Sequence, residues 1–199
     1  MPSRTDLVAV FSLLAGGAQN AGGNRPPALL SARLKEVGGD LAEAIQSVPG
    51  FGNVESKKFT VVAQPIVMKA IARLAYDCFF ENSSKNSNIT PEHGKRLLQA
   101  LKSGELGFGH DEPLWRALMM SEQERLECFP GIEDYLYIAK STNLIAGSFE
   151  NGYVRFSPNT KDLLRRLGDL IRYQLKLPAR TEVTKAIAKA RALEAEATA

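Results

Sequence analysis

The chain of 199 residues is 44% hydrophobic and 24% charged, the balance of an ordinary globular protein that can bury one good core, so a single domain is the default. Two cysteines, Cys78 and Cys128, are too few for a disulfide framework, and their apolar surroundings read as buried free thiols in a reducing, cytoplasmic setting. No apolar run reaches the roughly 18 residues that a membrane-spanning helix needs, and a net charge of +3 does not decide for or against nucleic acid.

The charge is unevenly placed. Residues 1–154 carry 15 Lys+Arg against 17 Asp+Glu, whereas residues 155–199 carry 10 against 5, so the positive potential sits at the C-terminal end.

Arg4 ahead of the apolar run Leu7 to Ala15 has the outline of a leader, but Asp6 abuts a run near the lower length limit, so Asp6 to Leu14 is read as a short helix stopped by Gly16-Gly17. Gly16 to Pro27 is Gly-, Asn- and Pro-rich and reads as a linker. Pro27 opens a helix through Leu29, Leu30, Leu34 and Val37, which Gly38-Gly39 is expected to end; Asp40 then re-caps a second helix, Leu41 to Val48. Lys57 to Ala63 has the β-branched and aromatic density of a strand. Pro65 opens the most hydrophobic helix, with a core stripe of Val67, Ala70, Ile71, Leu74, Cys78 and Phe79.

Glu81 to Ile89 is polar and reads as a surface loop, after which Thr90-Pro91-Glu92 opens a helix to Lys102 that breaks at Gly104. A short helix follows at Glu112 to Met120, with Asp111 as its cap. Ser121 with Glu124 makes a capping box, and Ile132 to Ala139 predicts another helix after Pro130.

Asn151-Gly152 is the strongest hairpin signal in the chain, since a type I′ turn needs positive φ at both central residues. It predicts strands at Asn143 to Phe149 and Tyr153 to Phe156. Ser157-Pro158-Asn159-Thr160 then starts a helix from Thr160 to Leu175. At about 100° per residue, Leu163, Leu164, Leu167, Leu170, Ile171 and Leu175 form its apolar arc, while Lys161, Arg165, Arg172 and Lys176 gather opposite. That second arc is a solvated helix surface, a polyanion-binding face or a contact for a partner protein. Thr181 to Ala199 is Ala-rich and strongly helix-forming with little large apolar surface, so it is expected to project or to dock on a partner.

Chemistry-bearing motifs are sparse. Gly-Phe-Gly at 50–52 and 107–109 lacks the strand-to-helix context of a phosphate cradle, so both read as turns. His93 and His110 have no short-spaced partner for zinc; no metal or cofactor is expected, and no carboxylate pair suggests a general acid and base. Cys128 among apolar neighbours is a poor nucleophile for a pair with His110. Trp115, with Leu114, Leu118 and Met119, reads as a core wedge.

Phe11 with the Ala-Gly-Gly-Ala-Gln-Asn-Ala-Gly that follows Leu14, the run Leu41 to Phe51 ahead of Lys58-Phe59-Thr60, and Gly152 to Ser157 leading into a Leu-rich helix closed by Leu177-Pro178 come in a suggestive order. Together they resemble the C-terminal half of the DGQHR-motif proteins that accompany bacterial DNA sulfur (phosphorothioate) modification systems. The Asp-Gly-Gln-His-Arg signature is absent here, so no functional residue carries over. The resemblance implies a helical, regulatory half with DNA-associated work in a modification or defence context.

The sequence thus predicts a mainly α (α+β) fold: residues 1–178 as one domain of about seven to nine short helices with a small β-hairpin near 143–156, and residues 179–199 as a C-terminal helix. The functional expectation is a non-enzymatic DNA-associated or regulatory protein that meets duplex DNA through Lys161, Arg165, Arg172 and Lys176. An adaptor docking a protein partner through residues 180–199 is the alternative, and a hydrolase whose site assembles only in three dimensions is the third.

Overall fold

The computed structural model describes residues 10–15, 28–51, 55–80, 88–132, 146–157 and 161–198. Over these the protein is mainly α-helical with one two-stranded antiparallel hairpin. Its elements are α1 (10–15), α2 (Ala28–Gln46), a 3₁₀ turn (Glu55–Lys58), α3 (Pro65–Phe79), α4 (Pro91–Ser103), α5 (Pro113–Arg116), α6 (Glu122–Cys128), β1 (Gly147–Glu150), β2 (Tyr153–Phe156), α7 (Lys161–Gln174) and α8 (Thr181–Thr198).

The central element is α3. Ile66, Val67, Met68, Ala70, Ile71, Ala72, Leu74 and Ala75 are all buried, so it is covered nearly all round, as a helix with an almost continuous apolar surface must be. It packs on α7, α4 and α2, and α5 lies against α7. Leu163, Leu167, Leu170, Ile171 and Leu175 enter the same core, with Leu164 partly covered, as their spacing predicts. Trp115 is the expected wedge: it is 1% exposed, stacks on Phe108 and donates its indole N–H to the Gly107 carbonyl at 2.8 Å.

Local start and stop chemistry works where it was legible. Thr90 and His93 form a capping box at α4, which Gly104 ends with φ +76°. Ser121 and Glu124 form the expected box at α6, and the hydrogen bonds from Ser121 hold the Glu124 carboxyl below its usual range. The hairpin turns at Asn151 (φ 52°) and Gly152 (φ 81°), with Glu150 opposite Tyr153.

Several expectations are corrected. Gly38-Gly39 does not end a helix: α2 runs unbroken through both, because Val37, Leu41, Ala44, Ile45 and Val48 are buried on its two sides and that packing outweighs a glycine cost of about 1 kcal/mol each. Lys57 to Ala63 is not a strand. It is a 3₁₀ turn followed by a single bridge, Thr60 to Gly109, which lets Val61 and Val62 be buried together rather than alternate. Cys128 is exposed at the end of α6, whereas Cys78 is buried. Ile89, assigned to a polar loop, is buried beneath the start of α4, and the helix around Trp115 is only the single turn of α5, with Glu112 rather than Asp111 at its N-cap. The expected linker at 16–27, the loop residues 81–87, the helix at 133–139, the strand start at 143–145 and the helix start at 158–160 lie outside the described residues.

Candidate functional site

The basic arc of α7 is not one surface. Lys161 and Lys176 are exposed, but Arg172 is 3% exposed: its Nη2 reaches Asp77 Oδ2 on α3 at 2.8 Å and its Nη1 donates to the Pro178 carbonyl at 3.1 Å. The expectation that Arg172 faces solvent is therefore wrong. After α7 the chain doubles back across the helix's polar side, with Leu177 N–H bonded to the Arg172 carbonyl and Arg180 clasping Asp169 through both carboxylate oxygens. Arg165 spends its charge on Asp162 (3.1 Å) and Glu182 (3.3 Å). The hydrogen bond from Arg96 holds the Glu105 carboxyl below its usual range, and the charge of Lys176 adds to the effect, so Lys176 also faces a carboxylate. What remains is one exposed lysine at the start of α7 and another just past its end, with neutralised charge between them.

A different basic and aromatic site lies under the hairpin. A cleft of about 440 Å³ is lined by Lys58, Thr60, Gln64, His110, Tyr153 and Arg155, with Ala63, Pro65 and Val154 completing its wall. Three segments meet here for a physical reason. In a two-residue hairpin the outer edge of β2 presents unpaired backbone groups. Gln64 satisfies two of them, donating Nε2–H to the Val154 carbonyl at 2.8 Å and accepting the Phe156 N–H on Oε1 at 3.1 Å. His110 Nδ1 accepts the Val154 N–H at 3.0 Å, which fixes the ring's tautomer at that nitrogen. Gln64 sits at the N-cap of α3 yet makes no cap bond, because its amide is committed to the hairpin.

The polar floor of the cleft is thus occupied in holding β2, while its rim is not. Tyr153 stands edge-on to His110, with centroids 5.3 Å apart and planes at 72°, and is 38% exposed. Phe59, between the lining residues Lys58 and Thr60, is 71% exposed, the largest exposure of any large apolar side chain among the described residues. Arg155 is exposed, and no carboxylate among the described residues lines the cleft. Lys58 pairs with Glu55 at 2.8 Å, but both side chains are more than 60% exposed, so the pair is weak and open to exchange.

The other sequence candidates have structural duties. His93 caps α4, and His110 buttresses the hairpin rather than lying in a polar loop. Burial pushes the Cys78 thiol up to about 12, only partly opposed by the nearby Arg172 charge. Among the described residues no three His, Cys, Asp or Glu side chains lie close enough together to hold a metal ion, and no helix is long and apolar enough to cross a membrane.

Helix α8 is docked on the core at its start. Val183 is buried, Ala186 and Ile187 pack against the core, and Arg180 and Arg165 both reach Glu182. Further along, Lys189, Arg191 and Leu193 are exposed, Leu193 by 52%.

No family model matches the chain, nor does any curated protein or any solved structure. The cleft residues were missed in the sequence because Gln64 and His110 carry no motif. The available signal was the run Lys57-Lys58-Phe59 together with Tyr153-Val154-Arg155: two short basic-aromatic pieces, 90-odd residues apart, that only the tertiary fold joins.

Proposed function

We propose that the protein is a non-enzymatic, DNA-associated protein whose contact surface is the hairpin cleft rather than the face of α7. The observation that carries this reading is the division of labour in the cleft. Gln64 and His110, the groups best suited to chemistry, are consumed in fixing β2, while Arg155, Lys58 and the Tyr153 ring line the cleft as cations and a π-face, and the exposed Phe59 adjoins two of the lining residues in the chain. The resemblance of several segments to proteins of DNA sulfur modification systems supports DNA as the polymer and a bacterial modification or defence setting.

Fluorescence anisotropy of labelled DNA with the full chain at several salt concentrations tests this. Affinity should fall as salt rises, and Arg155→Gln should make the log–log slope shallower by roughly one unit, whereas Lys161→Gln should leave it nearly unchanged. Absence of binding at low salt, or an Arg155→Gln protein that binds as the parent does, overturns the assignment. A second reading, an adaptor that docks through α8, is favoured by the exposed Leu193 on a helix whose first turns are anchored on the core. It gains the lead if DNA binding is absent.

A further inference from the structure

We infer that the cleft takes a single strand with unstacked bases rather than a duplex, an inference that rests on the DNA-associated reading above. Two features separate these ligands. A duplex offers phosphates to a flat or convex basic surface and keeps its bases stacked inside, so exposed aromatic rings gain little from it. A single strand offers π-faces as well as phosphates. Here the cations come from two different segments: Lys58 and Arg155 both line a concavity of about 440 Å³, the size of a small-ligand pocket rather than of a duplex. Tyr153 lines that concavity, and its ring is held by edge contact with His110, which is itself fixed by the Val154 N–H. A ring pre-oriented in this way loses little freedom when a base stacks on it. Phe59 does not line the concavity itself, but it sits between two lining residues and is exposed on most of its surface, so it offers a second ring to a strand that runs past the cleft.

The contacts to phosphate and to base faces are both indifferent to sequence, so selectivity is for strandedness and not for a base order. Glu150, directly opposite Tyr153 in the hairpin register, shares that residue's face of the ribbon, and its exposed carboxylate sets a limit to how far a polyanion can run along the turn.

The test compares a fluorescein-labelled oligo-dT of about 15 nucleotides, within the span that one such site covers, with the same strand annealed to oligo-dA. The single strand should bind at least ten times more tightly than the duplex. Phe59→Ala should weaken single-strand binding by roughly 5- to 150-fold and leave duplex binding unaltered, the range expected for loss of one stacked base. Tyr153→Ala should do the same, and because Phe59 is a surface side chain its variant reports on stacking even if Tyr153→Ala disturbs the hairpin. Equal affinity for strand and duplex, with Arg155→Gln weakening both, overturns this inference and leaves the DNA-associated reading standing. Failure of both probes to bind removes the two together.

Discussion

Arg172 and Asp77 lie 95 residues apart in the chain and 2.8 Å apart in the fold, and their pairing ties α7 to the central helix in a setting where the arginine side chain is 4% and the aspartate 13% exposed. Arg73, one turn before Asp77 on α3, lies 2.8 Å from the other carboxylate oxygen, an ion pair whose geometry falls short of a linear hydrogen bond. Removing one member of such a buried pair strands the other. Arg172→Met should therefore lower unfolding free energy by about 3 kcal/mol, the lower end of the usual range because Arg73 remains. The double change with Asp77→Leu should recover much of the loss in urea denaturation. If the single change costs nothing, the pair does not hold α7 in place.

The clamp on β2 makes a residue-level prediction. Gln64→Ala leaves the Val154 carbonyl and the Phe156 N–H without partners while His110 still accepts the Val154 N–H. Hydrogen exchange should speed up at Phe156 and stay slow at Val154, with a stability loss of roughly 1–3 kcal/mol. Deprotection of both amides alike would show that Gln64 and His110 act as one unit rather than as separate holds.

The two thiols should differ sharply. Cys128 is exposed and should react promptly with a thiol reagent at mild pH, whereas Cys78 should react only through opening of the core. The raised thiol pKa of Cys78 also sets a sign for alkaline stability. Its folded value of about 12 lies above the ordinary 9.0, so its contribution is fully present below about pH 9 and is lost as pH rises towards 12. Cys78→Ala should flatten that part of the pH–stability curve, and an unchanged curve would show that the thiol does not sense burial.

Gly39 offers the opposite outcome to most substitutions. It lies within α2, is exposed, and an added Cβ meets nothing within 4 Å. Gly39→Ala should stabilise the protein by about 0.5–1 kcal/mol in thermal or chemical denaturation. A loss of stability would mean that α2 is less continuous than its hydrogen bonding indicates.

How much of this could be read from the chain depended on the range of the interactions. The hairpin turn, the α6 capping box, the end of α4 at Gly104 and the core stripe of α3 are set by residues within a few positions of one another, and periodicity or capping chemistry exposes them. The Gly38-Gly39 pair misled because the local cost of glycine is real but smaller than the burial on either side. Arg172 misled for a different reason. Helical angles place it beside Lys161 and Arg165, yet the chain after α7 folds back over that side, and nothing local marks Asp77 as its partner. The cleft was invisible on the same account, since Gln64 and His110 act on β2 from positions with no spacing rule to reveal them.

The Gln64 contact to Val154 closes a loop of 90 residues, and so dates the cleft in the life of the chain. Helices α2, α3 and α4 pack on one another and can begin to do so early, whereas the cleft, like the contact of α3 with α7, waits for the slow closure of a long loop. During synthesis its floor emerges first, with Lys58 and Gln64, and the wall bearing Tyr153 and Arg155 arrives last. A nascent or truncated chain that stops short of residue 153 therefore holds one cation and one ring of the site, with neither Tyr153 nor Arg155 to oppose them. On the DNA-associated reading proposed above, engagement of a strand is then acquired only near the end of folding.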